Sequence, residues 1–137
     1  TGSATHFYLE NILYNTETEL KTAKMITTAR YGNMFGEEVL AEVFKNSDIF
    51  IEKFSWVFSD KYHIQREFEI FEEIDNIKKT YRIDRLLVDK ENKKIWILDY
   101  KTGGKDEEQL ENYKRILKIF REYIKYRFLR FYTQEGF

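Results

Sequence analysis

The chain has 137 residues, a formal net charge of −1 and no cysteine. This length suits one domain with a substantial core, and the absence of cysteine excludes disulfides, iron–sulfur clusters and zinc–thiolate sites. No apolar stretch approaches the roughly 18 residues of a membrane-spanning helix, and the first residues carry no signal-peptide pattern. We therefore expect residues 1–137 to form a single cytoplasmic domain, and the small residues at the start indicate excision from a larger protein.

Helical patterns occupy the first part of the chain. Residues 5–29 read as helical pieces with a break near Asn15, and residues 32–48 read as a stronger amphipathic helix. The aromatic-rich residues 49–60 favour a further helix, although a strand is also compatible with them.

The hydrophobic period changes after these helices. Residues 63–73 alternate apolar and charged side chains, as a half-exposed strand does. Residues 80–89 and 93–101 are two β-branched and aromatic strands joined by a polar turn, and the second is apolar on both faces, which is typical of a central strand. Residues 105–125 form an amphipathic helix pattern, and residues 126–133 a last strand. This order predicts an α/β domain around a mixed four-stranded sheet flanked by helices.

Two acids interrupt the apolar strands. Asp99 and Lys101 are two residues apart, so they project from the same face of their strand. If the hairpin turns at Glu91 and Asn92, Asp84 faces Asp99 with Cβ atoms about 4.5–5.5 Å apart. Two carboxylates in apolar surroundings need a shared proton or a cation, and Mg²⁺ or Mn²⁺ suits oxygen ligands. Lys101 would then position water or stabilise charge during phosphodiester hydrolysis. The plainer alternative is an ordinary salt bridge of Asp84 with Arg82, Arg85 or Lys101, and a turn cap at Asp99.

The residues from Ile83 to Tyr113 resemble the RecB-like branch of the PD-(D/E)XK nuclease superfamily. "YRIDRLLVD", "IWILDYKTG" and "EQLENY" are similar to the branch's Gly-x-Ile-Asp-Arg, Asp-Tyr-Lys-Thr-Gly and Gln-x-x-x-Tyr motifs. The resemblance implies a restriction-endonuclease-like core with the element order αβββαβ.

The resemblance also implies roles for particular residues. Asp84, Asp99 and Lys101 would be catalytic, and the Tyr100 carbonyl would join the two aspartates as a ligand of Mg²⁺ or Mn²⁺. The candidate DNA-binding residues are Gln109, Tyr113, Lys114 and Arg85. Core packing is an equal alternative for Tyr113. Lys114 belongs to a basic run between residues 113 and 130, for which a solvated helix face is the alternative.

Two positions depart from the family pattern. Tyr81 stands where the branch usually has glycine. The family also has a glycine, a short spacer and a histidine before an early helix, yet "YGNMFGEEVLAEVF" contains no histidine. Glu37 is the expected replacement ligand, with Glu38 in reserve, and two solvent-facing acids at a helix start are the alternative. His6 and His63 lie outside this segment and receive no role.

The resemblance implies a metal-dependent DNA nuclease domain from a helicase–nuclease of the AddA type that processes double-strand breaks. No phosphate-binding P-loop occurs, so the motor portion would be a partner, together with DNA and a second subunit. One alternative is a nuclease fold without catalysis that serves DNA binding or subunit interaction. Another is a hydrolase that acts on RNA or nucleotides.

Overall fold

The structure is a computed structural model that describes residues 2–101 and 125–132. Within these residues the elements are α1 (Gly2–Glu10), α2 (Glu17–Phe35), α3 (Glu37–Lys53), a short 3₁₀ helix (Ser55–Phe58), β1 (His63–Ile74), β2 (Ile77–Asp89), β3 (Lys94–Lys101) and β4 (Lys125–Tyr132). The predicted α/β composition and four-stranded sheet are confirmed. The restriction-endonuclease-like core stays a prediction, and the helix predicted at residues 105–125 lies almost entirely outside the described residues.

The described chain divides into two compact units. The first contains residues 2–60 with 100–101 and 131–132, and the second contains residues 61–99 and 125–130. None of the helices in the described ranges combines the length and the apolar character that crossing a membrane requires.

Local hydrogen bonds and one glycine set the helix boundaries in the first unit. The Thr16 hydroxyl accepts a hydrogen bond from the Glu19 backbone N–H at 3.2 Å, which caps the start of α2. Gly36 has φ of 82°, a left-handed conformation that favours glycine, and it separates α2 from α3. The predicted helix boundaries were therefore wrong at two places: α2 runs through residue 32 to Phe35, and α3 runs through residue 49 to Lys53.

A polar contact joins the three helices of the first unit. The hydroxyl of Tyr8 on α1 donates a 2.7 Å hydrogen bond to Asp48 on α3, and Lys24 on α2 lies 2.7 Å from the other carboxylate oxygen of Asp48. Burial, followed by the hydrogen bond to Asp48, raises the pKa of Tyr8, so the phenol stays protonated as a donor. Because all three side chains belong to different helices, this contact fixes their relative rotation.

The sheet has the strand order β1-β2-β3-β4, and β2 is antiparallel to both β1 and β3. The β2–β3 pairs run from Arg85↔Leu98 to Asp89↔Lys94. This is the register expected from a turn at Glu91 and Asn92, so the predicted register is confirmed for these pairs. Residues 83–87 of β2 are buried although successive side chains point to opposite faces, and β2 has a hydrogen-bonded strand along each edge, so side chains placed there are held firmly.

Candidate metal centre

Three carboxylates lie in one row across three neighbouring strands of the second unit. The β1–β2 pairs on either side of Glu67 place it opposite Asp84. The β2–β3 register, continued one position beyond its last pair, places Asp99 opposite Asp84 on the other side. Asp84 is 7% exposed and Asp99 is 3% exposed. Asp84 is thus the middle member of an acidic row that has little access to water.

Such a row needs positive charge or a proton to be stable. Burial disfavours ionised carboxylates, and like charges on neighbouring strands repel one another. Arg82 supplies one positive charge, because its Nε lies 2.7 Å from Oε2 of Glu67. A divalent cation would neutralise further charge in the same row.

The backbone at Glu67 departs from regular strand geometry. The β1–β2 pairing passes from Arg66↔Arg85 to Phe68↔Ile83 and skips Glu67, whose φ is 51°. A left-handed residue other than glycine costs on the order of 1 kcal/mol or more, and such conformations cluster at functional sites. The Glu67 side chain is only 16% exposed, so this strained position directs a carboxylate into the row rather than into solvent.

Glu67 and Asp84 are two carboxylates of the second unit that could bind a metal ion together. Their ligand oxygens lie within 4.8 Å of each other. Carboxylate oxygens suit Mg²⁺ and Mn²⁺. These residues therefore fit the divalent cation that the sequence predicts, and the lack of cysteine excludes a thiolate-bound cluster.

His6, which received no role from the sequence, packs within the first unit. It lies on α1, and its ring contacts the ring of Tyr100 edge-on with centroids 5.9 Å apart.

Glu37, the expected replacement for the histidine, lies elsewhere in the first unit. It is exposed at the start of α3, as is Glu38, and it borders a surface cavity of about 480 Å³ between α2 and α3. Acids in the first turn of a helix complement its dipole, so both glutamates have a structural explanation beside the predicted ligand role.

The remaining predicted site residues fall into three groups. Tyr100 is buried, and its ring packs edge-on against Phe50 with centroids 6.1 Å apart. Lys101 is the last residue of β3. Arg85 is fully buried, so its guanidinium is not accessible to a DNA backbone. The other predicted contacts lie outside the described residues: Gln109, Tyr113 and Lys114.

The turn after β2 holds the register that aligns the acids. The backbone N–H of Asn92 donates to Oδ1 of Asp89 at 3.2 Å, and the Asn92 side-chain amide donates to Oδ2 at 2.9 Å. These two bonds close the β2–β3 turn, as Asp and Asn side chains commonly do. A slip of one residue would move Asp99 to the opposite face of the sheet from Asp84.

The sequence matches no known family model and no curated protein.

Proposed function

We propose that the chain is a metal-dependent nuclease domain that hydrolyses phosphodiester bonds in DNA. Asp84 and Asp99 would hold Mg²⁺ or Mn²⁺, with the Tyr100 carbonyl as a further ligand. The observation that carries the proposal is the position of Asp84 in the middle of a buried acidic row, on the central strand that also bears the Ile-Asp-Arg motif. A salt bridge does not require three carboxylates on adjacent strands, whereas a divalent cation does use such ligands.

The residues of the chain divide the work of this reaction. When bound, the cation polarises a phosphoryl oxygen and lowers the pKa of a water molecule. Asp84 and Asp99 fix the position of the cation because both are held in paired strands. Lys101, at the end of β3, would stabilise the negative charge that develops on the phosphate.

The biological setting remains part of the proposal. Motif resemblance supports an AddA-type helicase–nuclease acting on double-strand breaks in the cytoplasm, with the motor portion and a second subunit as partners. The alternative is a catalytically inactive nuclease fold, and the missing histidine is its main support. The buried acids favour the active enzyme, because a fold without catalysis has no packing reason to keep them.

The proposal is tested by titrating Mn²⁺ into the protein in a calorimeter. We expect heat of binding in the wild type and an affinity loss in Asp84→Asn of more than about tenfold, the loss typical of residues that merely support a ligand. Asp99→Ala should weaken binding as well, and Glu37→Gln tests the glutamate predicted as a further ligand. Glu73→Gln is the control, because it also removes one negative charge but lies exposed near the end of β1, outside the acidic row.

Cleavage completes the test. Linear and circular DNA should be cut in the presence of Mn²⁺, and Asp99→Ala should abolish the activity while Glu73→Gln retains it. Cleavage that survives a chelator, or Mn²⁺ binding that is unchanged in Asp84→Asn, would contradict the proposed centre.

A further inference from the structure

We propose that Arg82 binds a backbone phosphate of the DNA beside the metal centre, and that Glu67 is the residue that positions Arg82. This inference rests on the proposed nuclease function and adds a substrate-binding pair to it. Arg82 occupies the variable position of the Gly-x-Ile-Asp-Arg pattern, so the motif itself assigns it no role.

The first support is the placement of Arg82. It lies two residues before Asp84 on β2, so both side chains project from the same face of the strand, about 6.6 Å apart along it. The Arg82 side chain is 64% exposed, whereas Asp84 is buried. Arg82 therefore stands where the buried site meets solvent, which is where the phosphates of a polymer substrate can be reached.

The second support is the contact that holds Arg82. Its Nε lies 2.7 Å from Oε2 of Glu67, and the Glu67 side chain is mostly buried. A guanidinium is planar and can bind phosphate through two parallel N–H groups. The contact between Nε and the Glu67 carboxylate restricts the orientation of the Arg82 guanidinium plane. Less side-chain conformational entropy is therefore lost when a phosphate binds.

The third support is the strained backbone at Glu67. A left-handed residue inside a strand persists only where the surrounding interactions offset its cost. The carboxylate of Glu67 makes one such interaction with Arg82, and one of its oxygens lies within 4.8 Å of an oxygen of Asp84. Glu67 thus links the proposed phosphate-binding residue to the metal centre.

An ordinary surface salt bridge would look different. Nearer the end of the hairpin, Glu73 and Lys78 are cross-strand partners, and both residues are exposed. A pair of that kind contributes little and requires no backbone strain. Glu67 and Arg82 combine a buried acid, an exposed base and a left-handed backbone, which is the arrangement expected of a positioned binding group.

DNA binding separates the role of Arg82 from cleavage. We would measure fluorescence anisotropy of labelled single- and double-stranded oligonucleotides, with Ca²⁺ in place of Mn²⁺ and over a series of salt concentrations. Arg82→Ala should weaken binding about tenfold. It should also reduce the salt slope, which is the slope of log affinity against log salt concentration, by about one. Arg82→Lys should restore the slope but only part of the affinity, because lysine lacks the planar fork. Lys79→Ala removes one positive charge from the opposite face of β2 and should change neither property.

Steady-state cleavage with Mn²⁺ gives the second readout. Arg82→Ala should raise KM about tenfold with little change in kcat, since it removes a contact to a phosphate that does not react. Mn²⁺ binding by calorimetry should be unchanged in this variant. Unchanged KM and salt slope in Arg82→Ala, in a protein whose wild type cleaves DNA, would overturn the inference and leave the nuclease function standing.

A double-mutant cycle tests the positioning role of Glu67. Glu67→Ala should raise KM in the wild type and should have no further effect on KM in Arg82→Ala, because it acts on the substrate through Arg82. An equal rise in KM in both backgrounds would overturn the positioning role. A wild type that neither binds nor cleaves DNA would overturn the nuclease function, and this inference with it.

Discussion

Two aspartates on β2 have the same exposure and opposite surroundings. Asp84 and Asp89 are each 7% exposed. Asp89 accepts two hydrogen bonds from Asn92, so its charge is satisfied within the chain. Asp84 has the carboxylates of Glu67 and Asp99 opposite it on the two adjacent strands. At the scale of single residues, the two aspartates therefore differ in their neighbouring side chains and not in their burial. Asp89 closes a turn, whereas Asp84 is suited to binding a cation.

The first prediction concerns the pKa of Asp89. The side-chain hydrogen bond from Asn92, the backbone hydrogen bond from the same residue, and the charges of Lys61 and Lys94 hold this pKa below the usual aspartate value. A lowered carboxyl pKa stabilises the folded state above the unfolded pKa, and this stability is lost as pH falls through the folded pKa. Asn92→Ala should therefore raise the pKa of Asp89 and flatten the dependence of unfolding on acidic pH. An NMR titration of the Asp89 carboxyl carbon measures the shift, and an unchanged value would contradict it.

At the scale of elements, the β1–β2 hairpin depends on a tight turn. Asp75 and Asn76 have φ of 53° and 64° between Ile74 and Ile77, which pair with each other. Two successive left-handed residues match the twist of the flanking strands, and asparagine tolerates this region better than most residues. The turn thus sets the β1–β2 register, which in turn places Glu67 opposite Asp84.

The second prediction follows from the turn conformation. Asn76→Val should lower the free energy of unfolding by about 1–2 kcal/mol, because a β-branched residue is strongly disfavoured at positive φ. Asn76→Gly should be neutral or slightly stabilising, since glycine is preferred at this turn position. Urea denaturation measures both. Lys78→Val is the control for added surface hydrophobicity, because Lys78 is exposed within β2. If Lys78→Val lowers the free energy of unfolding as much as Asn76→Val does, the turn conformation is not the cause.

At the scale of the whole molecule, the acidic row makes stability depend on a ligand. Without a cation, the row places like charges on adjacent strands, which destabilises the folded state. A cation that binds only the folded chain adds stability in proportion to the logarithm of its concentration. Stability and metal occupancy are therefore expected to change together.

The third prediction is a thermal shift. Mn²⁺ at about one hundred times its Kd should raise Tm by roughly 10 °C. Asp84→Asn should have a higher Tm than the wild type in the absence of metal, because repulsion in the row is relieved, and should lose the Mn²⁺-dependent shift. Scanning calorimetry with and without a chelator checks both, and retention of the shift in Asp84→Asn would contradict the assignment.

The strands were predictable from sequence because the pattern of apolar and polar residues along a strand indicates which of its faces are buried. Residues 93–101 are apolar on both faces, and β3 proved to be an interior strand. The β2–β3 register followed from one polar turn, and the contacts between Asn92 and Asp89 give its physical basis. Helix ends were less predictable, because the apolar residues around Gly36 continue across the break between α2 and α3.

Glu67 is the member of the acidic row that the sequence did not reveal. In an alternating strand, Glu67 cannot be distinguished from Glu69 or Glu73 until the pairing with β2 is known. A glutamate also gives no indication in the sequence that its backbone is left-handed.

The position of Asp84 on an interior strand has a consequence for how the site can come apart. Ile83 and Arg85, on either side of Asp84, are paired with β1, Arg85 is also paired with β3, and both residues are buried. Segments of this kind open only in the rarest, most extensive fluctuations of a native protein, whereas edges and termini fray often. Asp84 therefore keeps its geometry through the frequent, small openings of the chain. A cation bound there would leave by direct dissociation, not because its central ligand unravels.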